Sequence, residues 1–148
     1  MFIDPIDKSN YFKGLLVLVG KDKEINRNES DLIKKVGNIL GFNHDFVDKA
    51  IKNFFKNKYI IEEPPVFSNY NFAEIFIKDG IRMALINNVI NLDQISWLTT
   101  TTIKNNLSKQ WFFIELESLR ERNNPGFEFY FEIQKYLNHL YDDSSFAY

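Results

Sequence analysis

Three groups of side chains in this chain have the types and the spacing to do chemistry. The first is the run Asp22-Lys23-Glu24-Ile25-Asn26-Arg27-Asn28-Glu29. Oxygen-bearing side chains fall at Asp22, Glu24, Asn26 and Asn28, the alternation with which a calcium loop supplies its first, third and fifth ligands. The EF-hand pattern fails where it is strictest, because its glycine position holds Arg27 and its closing glutamate position holds Ile33. Two readings remain. Asp22, Glu24 and Glu29 form a looser site for a hard divalent cation such as Ca²⁺ or Mg²⁺. Alternatively, the run is a turn entering a helix, whose Asn26 and Glu29 make a capping box and whose Glu29 favours the helix dipole.

The second group centres on Asp79, inside Phe76-Ile77-Lys78-Asp79-Gly80-Ile81-Arg82-Met83. A carboxylate among such neighbours needs a partner. It serves a ligand, a metal included, or it is satisfied by Arg82, by Lys78 or by the start of a neighbouring helix. The third group is aromatic: Phe127, Phe129, Tyr130, Phe131, Tyr136, Tyr141, Phe146 and Tyr148. Such a stretch either closes a helical core or leaves a patch for a protein partner. His44 and His139 lack any ligand spacing and read as surface residues. The sequence holds no Ser-His-Asp order, no phosphate-binding glycine loop and no glycosidase-like carboxylate pair.

The elements that must position these residues are helices, and they come in two sets. Ile25-Asn26 recurs as Ile90-Asn91, and Phe42-Asn43 as Leu107-Ser108, both at an offset of 65 residues. Each pair sets an apolar residue before a short polar one, the signature of a helix start. Apolar positions repeat at the same offset, among them Phe12/Ile77, Leu16/Ile81, Ile33/Leu98 and Val47/Phe112. The pattern predicts a first helix over about 8–19, then helices opening at Asn26 and Asn43. The Glu62-Glu63-Pro64-Pro65-Val66-Phe67-Ser68 connector reads as a tight, packed link, because adjacent prolines enforce extended backbone. A fourth helix follows over about 71–86, then helices opening at Asn91 and Ser108. The Thr99-Thr100-Thr101-Thr102 run weakens the fifth, so packing must compensate or the helix is irregular there. In the second half Asn87 stands where Asp22 does and Gln94 where Glu29 does, so charge for a cation belongs to the first half.

After the Asn123-Asn124-Pro125-Gly126 turn, alternating aromatics read as a strand, whereas Tyr130, Ile133, Leu137 and Leu140 read as a helix. The helical companions decide for a seventh helix over about 127–141, with a frayed tail beyond. The expectation is one all-α domain spanning 1–148, built as two pseudo-repeated three-helix halves (about 8–61 and 70–122) plus that C-terminal helix.

Composition narrows the classes. Of 148 residues, 45% are hydrophobic and 16% aromatic, which excludes a disordered chain and predicts a Phe-rich interior. The net charge of −2 comes from interspersed signs, so no basic field faces nucleic acid. There is no Cys, which excludes disulfides and thiolate metal sites and fits a reducing compartment. The opening residues lack the basic and apolar regions of a signal peptide, and the longest aliphatic run, 15–19, cannot span a bilayer. A soluble, cytoplasmic chain without membrane insertion is expected.

The paired motifs resemble the TerB-like family, the tellurite-resistance-type helical domains, whose motif runs Asp-Gly-x-Ile-x-x-x-Glu after a buried apolar helix. The first copy keeps Asp22, Ile25 and Glu29 but lacks the glycine; the second keeps only Ile90. The Phe76–Ala84 segment resembles the helix that leads into such a motif, and the likeness covers about 11–122. It implies an all-helical, bacterial, mostly cytoplasmic domain associated with stress responses, membrane-linked complexes and divalent-cation binding by acidic residues. By position those acids are Asp22 and Glu29, with Asp79 as an addition. The functional expectation is a non-enzymatic interaction or regulatory module of a bacterial stress-response system, with a protein partner and one weakly held divalent cation. Its rivals are a small enzyme with an acidic cleft around Asp79 and a homo-oligomer held by the aromatic C-terminal segment.

Overall fold

The computed structural model describes residues 3–21, 25–54, 63–87, 89–122 and 130–145; of Asn87 and of 139–145 the backbone alone is described. Among these residues the chain is all-α. The helices are α1 (Pro5–Gly20), α2 (Arg27–Ile39), α3 (His44–Phe54), α4 (Tyr70–Ala84), α5 (Leu92–Lys104), α6 (Lys109–Arg122) and α7 (Glu132–Ser145). One 3-10 turn, Leu85–Asn87, extends α4.

The two halves share a start at every helix. Pro5 and Tyr70, Arg27 and Leu92, His44 and Lys109 open matching helices with the same 65-residue spacing. The caps explain why. Asn26 accepts from the Glu29 N–H at 2.8 Å while Glu29 accepts from the Asn26 N–H at 3.1 Å. Asn91 and Gln94 repeat this reciprocal box at 2.8 and 3.2 Å. Asn43 and Ser108 accept from amides in the first turns of α3 and α6. The helix ends match as well. The Phe42 N–H donates to the Gly37 carbonyl and the Gly41 N–H to that of Asn38; Leu107 and Asn106 do the same to Thr102 and Ile103. This paired closure needs a left-handed residue, supplied by Gly41 (φ 81°) and Asn106 (φ 61°).

Two boundaries differ from the sequence expectation. α1 begins at Pro5 rather than near 8, because Asp4 caps it by accepting from the Ile6 N–H at 2.8 Å and Pro5 is preorganised for a first helical turn. α7 begins at Glu132 rather than near 127 and continues through Ser145, so backbone expected to fray from 142 is helical to that point; 127–129 and 146–148 lie outside the described residues. The threonine run is a regular stretch of α5. Each hydroxyl of Thr99 to Thr102 donates to the carbonyl four residues back, at 2.7 to 3.0 Å. That bond lets Thr101 and Thr102 be fully buried without an orphan donor.

α4 is the centre of the bundle, packing against α1, α5, α6 and α7, while α1 also meets α2 and α5. Tyr11, Leu15 and Leu18 of α1 and Phe72, Phe76, Ile77, Ile81 and Met83 of α4 are enclosed. Each such side chain contributes about 1.5–3 kcal/mol of burial. Rings lock the seam: Tyr11 meets Phe76 edge-on at 5.6 Å, and Phe76 meets Phe67 at 5.1 Å and Trp97 at 6.1 Å. Phe46 of α3 is 54% exposed, although its ring still lies against Phe42 and Phe12.

Candidate functional site

Asp79 sits on α4 with no solvent exposure. Its Oδ2 accepts from the Tyr11 hydroxyl at 2.5 Å and from the Ile133 N–H at 3.1 Å. Its Oδ1 accepts from the Glu132 N–H at 2.6 Å and from Arg82 Nη1 at 3.4 Å. Glu132 and Ile133 are the first two residues of α7, preceded by Phe131, which has no side-chain acceptor. Asp79 therefore caps α7 from another helix, and the α7 N-terminal dipole favours its negative charge. Arg82 closes the set by donating to Glu132 at 2.8 Å. Of the three sequence alternatives to a ligand role, the Arg82 pair and the neighbouring helix start are realised at once, and Lys78 is not among these partners of Asp79. Burial pushes the Asp79 carboxyl up to about 6; the Tyr11 hydroxyl, the two amides and Arg82 oppose that rise by favouring the charged form. Burial, then the Asp79 charge and its hydrogen bond, hold the Tyr11 hydroxyl well above its ordinary range.

The first-half acids are not gathered with Asp79 in one described site. Glu29 is buried at the start of α2, with one oxygen on its own cap amide. Asp22 and Glu24 lie outside the described residues. Among the described residues no group of three or more Asp, Glu or His could hold a metal ion. Gln94, the counterpart of Glu29, is buried and donates to the Leu18 carbonyl at 3.3 Å, tying α5 to the end of α1.

Two polar residues without any signal in the sequence reading fix the connector. Asp7, buried on α1, accepts from the Ser68 N–H at 3.0 Å and from the Ser68 hydroxyl. Asn105, buried at the end of α5, accepts from the Phe67 N–H at 2.8 Å and donates to the Pro65 carbonyl at 2.8 Å. The link is thus clamped from both halves, as its prolines suggested. Their partners lie 61 and at most 40 residues away, beyond the reach of any local pattern.

Beside the clamped link runs a groove of about 380 Å³, lined by Asn10, Lys13, Gly14 and Val17 of α1, by 63–66 of the connector and by Lys104. A second hollow of about 260 Å³ shares Val66 and continues to Tyr70 and Asn106. Val66 of the link is 52% exposed and Tyr70, at the start of α4, 62%, so apolar side chains face solvent where the link enters α4 while the link's backbone is held. Asp79 lines neither hollow. The described part of the aromatic C-terminal stretch is turned mostly inward: Phe131 and Ile133 are enclosed, and Tyr136 lies edge-on to Phe72 at 6.0 Å.

Compared with known proteins, the chain matches no protein-family model, no curated protein and no solved structure. Among the described residues no helix is long and apolar enough to cross a membrane.

Proposed function

We propose that this chain is a non-enzymatic interaction module that recognises a protein partner on the connector face. The observation that carries this reading is the contrast between the link's hydrogen-bonded backbone and the exposed side chains of Val66 and of Tyr70 at the start of α4. Asp7 and Asn105 hold the backbone, and the exposed side chains border two adjoining hollows. A preorganised apolar edge binds with little ordering cost. A regulatory role in a bacterial stress response, and a divalent cation held near Asp22, Glu24 and Glu29, belong to the same proposal and rest on the TerB-like resemblance.

One observation favours the enzyme reading: Asp79 is a buried acid with a raised pKa, a common mark of a reactive group. Its geometry gives it other work. Both oxygens are taken by donors from α1, α4 and α7, and neither groove reaches it. A substrate would have to displace the start of a helix to touch it.

Photo-cross-linking tests the interaction reading. A benzophenone residue at Val66 is expected to trap one partner that the same residue at Asp31, exposed on α2, does not trap. Equal products from both positions would overturn the assignment of the face.

A further inference from the structure

The groove beside the connector carries a charge pattern that identifies the chemistry of its occupant. Lys104 of α5 and Lys13 of α1 both line it, from opposite halves of the chain. Glu63 is the acid among its lining residues. Lys104 Nζ stands 3.0 Å from Glu63 Oε1. Lys104 first, and Lys13 further off, hold the Glu63 carboxyl below its ordinary range, so two ammonium fields converge on one carboxylate position. Glu63 is a loose resident there. Its side chain is 68% exposed, and an ion pair of that kind is weak because solvent screens it. The remaining lining is neutral: Pro64, Pro65 and Val66 present apolar surface over the buried Gly14 and Val17, and the Asn10 amide lies at the edge with a long 3.4 Å bond to the Val66 carbonyl.

We infer that the groove accepts an acidic, extended segment of a protein partner, whose carboxylate takes the Lys13–Lys104 position now held by Glu63 and whose neighbouring apolar side chain covers Pro64, Pro65 and Val66. This rests on the interaction reading above and names the partner's chemistry. About 380 Å³ admits a few side chains of an extended strand and excludes the body of a folded domain. The chain's own Glu63-Pro64-Pro65-Val66, an acid followed by small apolar residues, is a covalent copy of such a segment lying along one wall. Glu63 then acts as a built-in competitor, vacating the lysines only for a ligand that brings its own charge.

Fluorescence anisotropy tests this with the full chain and a labelled dodecapeptide that alternates Glu with Val and Pro, against the same peptide carrying Lys for Glu. The acidic peptide is expected to bind and the basic one not. Lys13→Glu combined with Lys104→Glu should weaken binding by about tenfold or more, the sum of two charge contacts of roughly 1 kcal/mol each. Glu63→Gln should tighten it by about twofold to fivefold, the return of one exposed ion pair. These residues are on the surface, so unchanged circular dichroism would exclude misfolding as the cause. Equal binding of both peptides, no binding of the acidic one, or indifference to the lysine reversals would overturn the inference. A partner cross-linked at Val66 under those same results would leave the interaction reading standing without it.

Discussion

The first helices of the two halves, α1 and α4, follow one plan, and one of the matched pairs at which they diverge is Gly14 and Asp79. Tyr11 and Phe76 correspond, as do Gly14 and Asp79, each pair 65 residues apart. Across the α1–α4 seam the correspondences cross. The Tyr11 hydroxyl reaches Asp79, and the tip of the Phe76 ring lies over Gly14, where an added Cβ would stand 2.6 Å from it. Two rings in equivalent places thus meet a carboxylate on one side and a bare backbone on the other. The carboxylate captures the start of α7; the glycine leaves room for Phe76 and for Pro65 of the connector, whose ring carbon would be 3.4 Å from that Cβ. The carboxylate thus gives the second half a contact with α7 that has no counterpart at Gly14 in the first.

The sharpest way to break this comparison is to remove the carboxylate. Asp79→Ala strands the Tyr11 hydroxyl and two helix-start amides and leaves Arg82 with Glu132 alone, and should cost about 3–5 kcal/mol in urea denaturation. Retained stability would mean that α7 docks by its apolar contacts alone.

The acid's own titration comes next. The folded chain holds the Asp79 proton up to about pH 6, against an ordinary value of 3.8, so it binds more protons than the unfolded chain between those limits. Its contribution is therefore fully present below about pH 4 and is lost as pH rises through about 6, a change of about 3 kcal/mol. Subtracting the stability–pH profile of Asp79→Asn from that of the wild type should isolate this downward slope; a flat difference would refute it.

On the opposite side of the seam, Gly14→Ala should cost about 1–3 kcal/mol by pushing Phe76 out of place. The Phe76–Trp97 contact provides a local readout, since indole fluorescence should shift with the ring. The smallest effects test what the halves share. Asn26→Ala and Asn91→Ala should each cost about 1 kcal/mol, because both remove the same cap bond of 2.8 Å. A difference of more than about twofold between them would show that the boxes are alike in geometry only.

What the sequence made legible and what it hid divide along the same line. The starts of α2, α3, α5 and α6 could be read because each cap spans two or three residues and leaves its signature beside the helix it opens. The Asp4-Pro5 start of α1 carried an equally local signal, which the expected start near residue 8 did not use. The start of α7 carried none: its acceptor is Asp79, 53 residues earlier. The aromatic alternation before it read as a strand and so gave no helix start. Asp79 was conspicuous as a carboxylate in an apolar helix, and its partners were anticipated as kinds of group, but Tyr11, 68 residues away, was not among them. The connector clamp escaped entirely, since Asp7 and Asn105 are ordinary polar residues until the fold brings Ser68 and Phe67 to them.

The central claim is that Asp79 exists to hold α7, and amide hydrogen exchange on Asp79→Asn tests it most directly. Exchange should quicken at Glu132, Ile133 and along α7 while α2 and α5, whose caps are untouched, keep their protection. Unchanged protection in α7, or uniform loss across every helix, would contradict it.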